Sequence, residues 1–463
     1  MNYITPGTQI VDEANVVHTL AKKIGEGGQG TVWINDQRNR IIKLMSHKDP
    51  DRLRLQLIRV RNLDLAGLCV ARPLALLKPP YIGYVAEFLK EMVPIKGLMS
   101  TSDEDILPFY LKSGGLRRRL RLLAHVGEAL LGLHARGAIY SDISPNNIFV
   151  SESIEATEAW LIDLDNVTQS KSPEFSVYTP GYGAPEIVTG RALTDTYSDM
   201  WAFAVLCYQT LTLNHPLIGD MVHDGEPELE EKAYRGELPW VNSQEDNSNE
   251  SSIGIPVEYV LGWEKNPTTM EREDSQLMKL ARQTFEVGKR DRTERPSIAK
   301  WVDALHAAAD FTIGCPSCEG TYFANELECP WCEEPRPSVC KVGVFRWQPK
   351  PGEDAHAILT LPSPIKLPFV NDLTITKRLT LSDPQGNQRD PHIRFEKTRR
   401  GINVYCCSHE TAWLAFVDQE NRQTFNEISN RPILLTDGIW QIFPKNPTIS
   451  QRIFQISIRG GQI

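Results

Sequence analysis

The sequence predicts a two-lobed α+β domain over about residues 1–310, a small cysteine-paired segment over 311–337, and an all-β sandwich over 343–463. Three observations carry that prediction. The first 90 residues read as short strands with one helical interruption. From Asp103 to about Ala309 the texture becomes helices joined by loops. From Gly343 onward, apolar and polar residues alternate in short runs separated by turn residues, the pattern of a small antiparallel sandwich or barrel.

The elements follow in chain order. A glycine-rich turn, GEGGQG, leads into TVWI, then the polar turn NDQRNR and IIKLM, which together read as hairpins. DRLRLQLIRVRNL has helical periodicity, while ARPLALL and YIGYVAEFL read as strands. LRLLAHVGEALLGLHARG is an amphipathic helix closed by glycine. NSQEDNSNESS from Asn242 is a polar insertion expected to form a mobile loop. Past the Pro-rich joint EEPRPS, the runs AILTL, LTITKRLTL, HIRFEK, INVYCC, WLAFVD, ILLTDGIWQIF and RIFQISI supply the sandwich strands.

Composition bounds the function. At 463 residues the chain exceeds a single core, and two or three domains are expected. A formal charge of −9 argues against nonspecific binding of nucleic acid or an anionic membrane. The basic runs RLRLQLIRVR and LRRRLR have helical spacing of apolar residues, so solvated helix faces are expected there. The first residues lack the basic and apolar segments of a signal peptide, and MWAFAVLCY is too short to span a bilayer. A cytoplasmic location is the resulting expectation.

Several motifs carry chemistry. Gly25-Glu26-Gly27-Gly28-Gln29-Gly30-Thr31-Val32 fits GxGxxGxV, in which glycines let a hairpin backbone close over phosphates. Lys43 lies thirteen residues after Gly30, where a strand would hold an ammonium against α- and β-phosphates. YSDISPNNIF, WLIDLDN, TPGYGAPE, SDMWAFAV and ERPSIAKW follow in order. Together these resemble the motif series of protein kinases, across about two-thirds of the chain. The resemblance implies Asp142 as catalytic base, Asn147 and Asp163 as magnesium ligands, and Lys43 as the clamp on ATP. It further implies that Gly25, Gly27, Gly30 and Val32 cover the nucleotide, and that Glu87-Phe88-Leu89 form a hinge offering backbone groups to adenine. Ala184-Pro185-Glu186 stands for the end of the activation segment, with Arg295 as partner of Glu186. Asp199 and Trp201 match the helical-lobe DxW motif.

The departures from the pattern are specific. Tyr140 and Ser141 replace His and Arg before Asp142, so the arginine that would sense an activation-loop phosphate is absent. Ser144 replaces a lysine, and Leu164-Asp165 replaces Phe-Gly. No glutamate lies between Lys43 and Val70, leaving Asp51 and Gln56 as candidate partners for the lysine. Phosphorylatable side chains remain at Thr168, Ser170, Ser172, Tyr178 and Thr179. The YSDISPNN style resembles a bacterial subgroup of eukaryotic-like serine/threonine kinases with zinc-ribbon modules. That resemblance implies protein substrates and, as genomic company in tellurite-resistance-like clusters, a metal-dependent protein phosphatase and a von Willebrand A-type protein. The alternative is a nucleotide-binding pseudokinase acting as a scaffold through its C-terminal modules.

Cys315-x2-Cys318 and Cys329-x2-Cys332, with ten residues between the pairs, have the spacing of a closed four-thiolate site for structural zinc. Iron is the chemical rival. Cys69, Cys207, Cys406 and Cys407 are expected in the core, and Cys340 stands outside the pattern. The terminal β region resembles a forkhead-associated (FHA) domain in the order NDLTI, DPHIRF, INVYCC, LLTDGIWQIF. Arg389-Asp390-Pro391 stand where the phosphate-reading Ser-Arg pair would precede His392, so phosphothreonine reading is not expected.

Overall fold

A computed structural model describes residues 4–27, 30–46, 49–99, 105–169, 177–266, 268–349, 356–380, 389–407, 411–417 and 423–459. The chain divides into two units, Met1–His306 and Ala307–Ile463.

The first unit begins with six antiparallel strands. They are β1 (Gln9–Val11), β2 (Val17–Gly27), β3 (Gly30–Asn35), β4 (Arg40–Met45), β5 (Ala75–Leu76) and β6 (Gly83–Glu87), in the order β1-β2-β3-β4-β6-β5. Strand alternation sorts the side chains of β4. Ile42 and Leu44 join Ile10, Leu20, Trp33, Leu77 and Val85 in one core. Ile41 points to the other face, where helix α1 (Pro50–Arg61) packs Leu53 and Leu57 against Leu76, Tyr84 and Ala86. Lys43 shares the parity of Ile41 and so leaves the sheet on the α1 side. Asp49 caps α1 by accepting from the Arg52 amide at 3.1 Å, with Pro50 at the first position. Of its basic run, Arg59 is exposed as expected, whereas Arg61 pairs with Glu13 and half-buried Arg54 donates to the Leu77 carbonyl at 3.2 Å.

Helices α2 (Ile106–Lys112) and α3 (Gly115–His134) open the second lobe. The apolar stripe of α3 buries Leu116, Leu120, Leu123, Leu130 and Leu133, each contributing about 1.5–3 kcal/mol of transfer free energy. Short pairings then frame the cleft: β7 (Met92–Pro94) with β9 (Ile148–Ser151) and β10 (Ala159–Leu161), and β8 (Ala138–Ile139) with β11 (Thr168–Gln169). Helices α4 (Pro185–Val188) and α5 (Thr196–Thr212) follow, then the small hairpin β12 (Trp263–Lys265) with β13 (Arg272–Asp274).

In this unit two expectations need correction. LRRRLR is not a solvated face: Arg118 and Arg119 are buried. The Arg119 guanidinium donates to the carbonyls of Leu98, Tyr110, Gly115 and Thr210 and lies 3.9 Å over the Tyr110 ring. Burial pulls its pKa down to about 10. It also donates to Ser113 Oγ at 2.8 Å, and charge patterning missed this because neutral acceptors can satisfy a guanidinium's five donors. The insertion after Asn242 is also pinned rather than loose. Buried Asn249 donates to the Leu217 and Pro239 carbonyls at 3.1 and 2.8 Å and accepts from the Gly219 amide.

In the second unit, β14 (Thr312–Gly314) and β15 (Thr321–Phe323) form a hairpin beside the cysteine pairs. Next come β16 (Cys340–Pro349), β17 (His356–Phe369), β18 (Asp372–Thr376), β19 (Pro391–Thr398), β20 (Gly401–Cys406), β21 (Ala412–Val417), β22 (Gln423–Ile428), β23 (Ile433–Leu435), β24 (Gly438–Phe443) and β25 (Gln451–Ile458). They build a six-stranded sheet, β17-β16-β25-β24-β21-β22, and a four-stranded sheet, β18-β19-β20-β23. Inward residues of both sheets, among them Val344, Ile393, Phe395, Val404, Leu414, Ile442 and Phe454, share one core, so the arrangement is a sandwich. Cys207 and Cys406 are buried, but Cys407 is exposed, contrary to expectation, because it follows the last inward residue of β20. Among the described residues, no helix is long and apolar enough to cross a membrane.

Candidate functional site

The catalytic-loop segment hangs from α5. Asp195 and Ser198 form a capping box at the start of that helix. One turn in, buried Asp199 accepts from the backbone amides of Tyr140 and Ser141, both at 2.9 Å, and from His134 Nε2 at 2.8 Å. The chain turns sharply there: Ser141 has φ 71°, and the Asp142 amide donates back to the Tyr140 carbonyl at 2.9 Å, as in a γ-turn. Such a conformation persists only where its surroundings over-determine it. The turn presents Asp142, whose carboxylate accepts from Asn147 Nδ2 at 3.0 Å and from Thr179 Oγ1 at 2.8 Å. With its amide nitrogen also donating to the Asp142 carbonyl, Asn147 keeps its side-chain oxygen available to a cation.

Tyr140 stands where the motif has histidine. Its ring is buried, and its single hydroxyl proton is shared between the carbonyls of Asn147 and Ile162, tying the loop to the residue just before Asp163. Asp163 itself has φ 61° and begins the tight turn Leu164–Asn166. Its side chain is 33% exposed and pairs with Lys43.

Lys43 has a second partner that sequence reasoning missed. Asp165 Oδ1 lies 2.9 Å from the ammonium, with side chains 6% and 2% exposed for lysine and aspartate. Neither sequence candidate fills this place. Asp51 is exposed in the first turn of α1, and Gln56 donates instead to the carbonyls of Val167 at 2.8 Å and Asp165 at 3.3 Å. A usable signal existed in the acid-x-acid pattern Asp163-Leu164-Asp165 beside a lysine with no downstream glutamate. Burial alone would pull Lys43 down, but the carboxylates of Asp165 and Asp163 outweigh it and hold the ammonium above the ordinary lysine value. Burial, and then the charge of Asp163, push Asp165 up to about 6 against the pull of Lys43. Two carboxylates against one ammonium leave a net negative pocket, which suits a divalent cation.

The remaining predicted positions fall around this cluster. Gly25 and Gly27 pair with Val32 and Gly30 across the β2–β3 hairpin; Gly28 and Gln29 lie outside the described residues. Gly30 has φ 144°, and a Cβ there would stand 2.0 Å from the Leu44 carbonyl oxygen, so strand packing alone demands glycine. A Cβ on Gly27 would meet nothing described within 4 Å, so this position is free of that constraint. Val32 of β3 pairs directly with Lys43 of β4. Glu87 ends β6 opposite Arg40, and the following Phe88 amide donates to the Asn39 carbonyl at 3.2 Å, with Leu89 next. Farther out, Arg295 grips Glu186 through two nitrogens, each at 2.7 Å.

In the second unit, the Sγ atoms of Cys315, Cys318, Cys329 and Cys332 all lie within 4.8 Å of one another. Cys315 to Cys332 is 3.6 Å and Cys318 to Cys329 is 3.7 Å. Four thiolates at 2.3 Å from a tetrahedral ion stand about 3.8 Å apart, so the cluster fits zinc. His392 is buried in the sandwich, with Nδ1 at 2.7 Å from Thr380 Oγ1.

A two-lobed domain that gathers a lysine, two aspartates at a tight turn and an Asp–Asn pair resembles the protein kinases. Residues 110–305 match the family model described as protein kinase domain. The chain is 27% identical over 217 residues to the serine/threonine-protein kinase pkn2 of Myxococcus xanthus, covering 44% of this chain and 25% of that protein. It is 25% identical over 228 residues to the serine/threonine-protein kinase PkaA of Streptomyces coelicolor, covering 44% and 40%. With the serine/threonine-protein kinase PknA of Mycobacterium tuberculosis the identity is 27% over 236 residues, covering 45% and 51%. The chain thus spans between a quarter and about half the length of these relatives.

Proposed function

We propose that this chain is a protein kinase that transfers the γ-phosphate of ATP to serine or threonine hydroxyls of itself and of partner proteins in bacterial signalling. The observation that carries this reading is the Asp142 carboxylate, held by Asn147 and Thr179 beside the Lys43–Asp163 contact. Asp142 orients the incoming hydroxyl and accepts its proton as the bond to phosphorus forms. Lys43 draws the phosphates into line, while Gly25, Gly27, Gly30 and Val32 roof the nucleotide. The Glu87 carbonyl and Leu89 amide meet the adenine edge. Asn147 and Asp163 would hold magnesium, which when bound neutralises charge on the phosphates. Thr179 places a hydroxyl against Asp142, and a substrate hydroxyl approaching the same carboxylate favours an alcohol acceptor.

In the same reading, Cys315, Cys318, Cys329 and Cys332 hold a structural zinc as a ribbon, and the β-sandwich is an FHA-like module. His392 is turned into its core, where Nδ1 lies 2.7 Å from Thr380 Oγ1. The location is cytoplasmic, and a metal-dependent phosphatase and a von Willebrand A-type protein are proposed partners. The pseudokinase alternative rested on the missing α1 carboxylate, and Asp165 beside Lys43 weakens it. Purified chain with ATP and magnesium should phosphorylate itself on Ser or Thr, mapped by mass spectrometry, and Asp163→Ala should abolish it. Nucleotide binding without transfer to itself or to a generic substrate would favour the pseudokinase.

A further inference from the structure

We propose that Asp165 is a positioning residue that holds the Lys43 ammonium in place of a carboxylate from α1, and that Gln56 fastens α1 to the same turn. The proposal rests on the kinase reading above and names how that site is kept in order.

Four observations carry it. No glutamate occurs between Lys43 and Val70, and the acid within α1, Asp51, is exposed in its first turn. Asp165 meets Lys43 at 2.9 Å where both side chains are almost fully buried, so the contact is fixed rather than a passing surface pair. The turn that presents it is anchored by fully buried Leu164 and begins at Asp163 with φ 61°. Gln56 reaches that turn with a neutral amide, donating to the carbonyls of Asp165 and Val167.

The consequence is a different wiring of the clamp. A lysine held from a helix loses its ion pair whenever that helix swings outward. Here the holding carboxylate and the metal-facing Asp163 share one three-residue turn, so the ammonium and Asp163 move together. A displacement of α1 acts on the ammonium only indirectly, through the two Gln56 hydrogen bonds. Asp165 Oδ2 is buried, with the Tyr84 hydroxyl as a neighbour of the carboxylate but no close hydrogen bond to this oxygen among the described residues, which makes a metal-ligand role the rival to be excluded.

The test uses the full chain as wild type, Asp165→Asn, Asp165→Gly and Asp165→Gly with Gln56→Glu. We expect Asp165→Asn to lower kcat/KM for MgATP at least tenfold with an unchanged magnesium requirement at fixed ATP. We expect Gln56→Glu to recover most of the loss seen in Asp165→Gly. Three results overturn the idea: activity of Asp165→Asn within twofold of wild type, a defect cured simply by more magnesium, or a loss that follows the melting temperature with no recovery in the double variant. If wild type transfers no phosphate, the kinase reading fails by itself. The same variants are then compared by affinity for a fluorescent ATP analogue with magnesium, where a tenfold weakening in Asp165→Asn supports the role and equal affinity refutes it.

Discussion

The cleft of the first unit and the His392 corner of the sandwich both lack residues that their sequence resemblances call for, and the two regions meet that loss differently. In the cleft, the missing functions are supplied from elsewhere. Asp165 reaches the lysine that no α1 carboxylate serves, and the Tyr140 hydroxyl bridges the carbonyls of Asn147 and Ile162. In the sandwich, His392 is turned inward onto Thr380, and the sheets close over an apolar core. Departure from a motif is therefore weak evidence of lost activity until the neighbours of the vacated position are known.

The sharpest difference concerns how each unit is held together. Binding free energies of structural zinc sites run to about 10–16 kcal/mol, so the thiolate cluster should dominate the cysteine segment. Cys329→Ser with Cys332→Ser should remove about one zinc per chain by elemental analysis and unfold the β14–β15 region in hydrogen exchange, leaving the cleft protected. Protein purified without chelators yet free of zinc and iron would break this side of the comparison. In the first unit, truncating Arg295 leaves Glu186 partly buried without its partner. Breaking such a pair costs roughly 3–5 kcal/mol, which urea unfolding of Arg295→Ala should report as a lowered midpoint.

His215 should give a smaller, pH-dependent effect. Its Nε2 donates to the Gly181 carbonyl at 2.9 Å, while Nδ1 accepts from the Leu217 amide at 3.2 Å, so the neutral ring is satisfied at both nitrogens. Burial pushes its pKa down to about 4 from the usual 6.5. Below pH 6.5 the unfolded chain takes up a proton that the folded chain refuses. Stability is thus lost as pH falls from 6.5 toward 4 and levels off beneath. The loss is at most roughly 3 kcal/mol, less for the ring's partial exposure. The stability difference between wild type and His215→Gln should narrow across that window; a constant difference from pH 7 to 4.5 would contradict the assignment.

Much of this was legible in the sequence, and the limits have physical causes. Strand alternation around Lys43 and the leucine spacing of α3 are local patterns, so the lobes and their order could be read directly. The acid-x-acid pattern hinted at Asp165, but its contact with Lys43 spans 122 residues and forms only when the lobes fold together, so no local pattern fixes it. Arg119 was misread because four of its partners are backbone carbonyls, which leave no trace in residue identity, and the others, the Ser113 hydroxyl and the Tyr110 ring, carry no charge. The role of Thr179 at Asp142 was likewise hidden, since a threonine in a loop has many ordinary uses. The insertion after Asn242 looked loose because polarity suggests solvent, whereas one buried asparagine holds it.

The smallest expected effect concerns regulation. Ser141 offers a neutral hydroxyl where a phosphate-sensing arginine would stand, at 3.5 Å from both Thr168 Oγ1 and Thr194 Oγ1. Changing Thr168, Ser170 and Ser172 together to alanine should leave turnover within a few-fold, whereas deleting residues 311–463 should change it more; Ser170 and Ser172 lie outside the described residues. The reverse pattern would show that another basic group senses a phosphate there.

The central claim is that a cleft with substituted partners still performs phosphoryl transfer, and single-turnover transfer of labelled γ-phosphate by Asp142→Asn tests it most directly. The amide can still accept a hydrogen bond from Asn147 but cannot take up the hydroxyl proton. Transfer should fall by about 10²- to 10⁴-fold while MgATP affinity stays within a few-fold of wild type. Equal transfer by wild type and Asp142→Asn, or none by either with ATP firmly bound, would contradict the account.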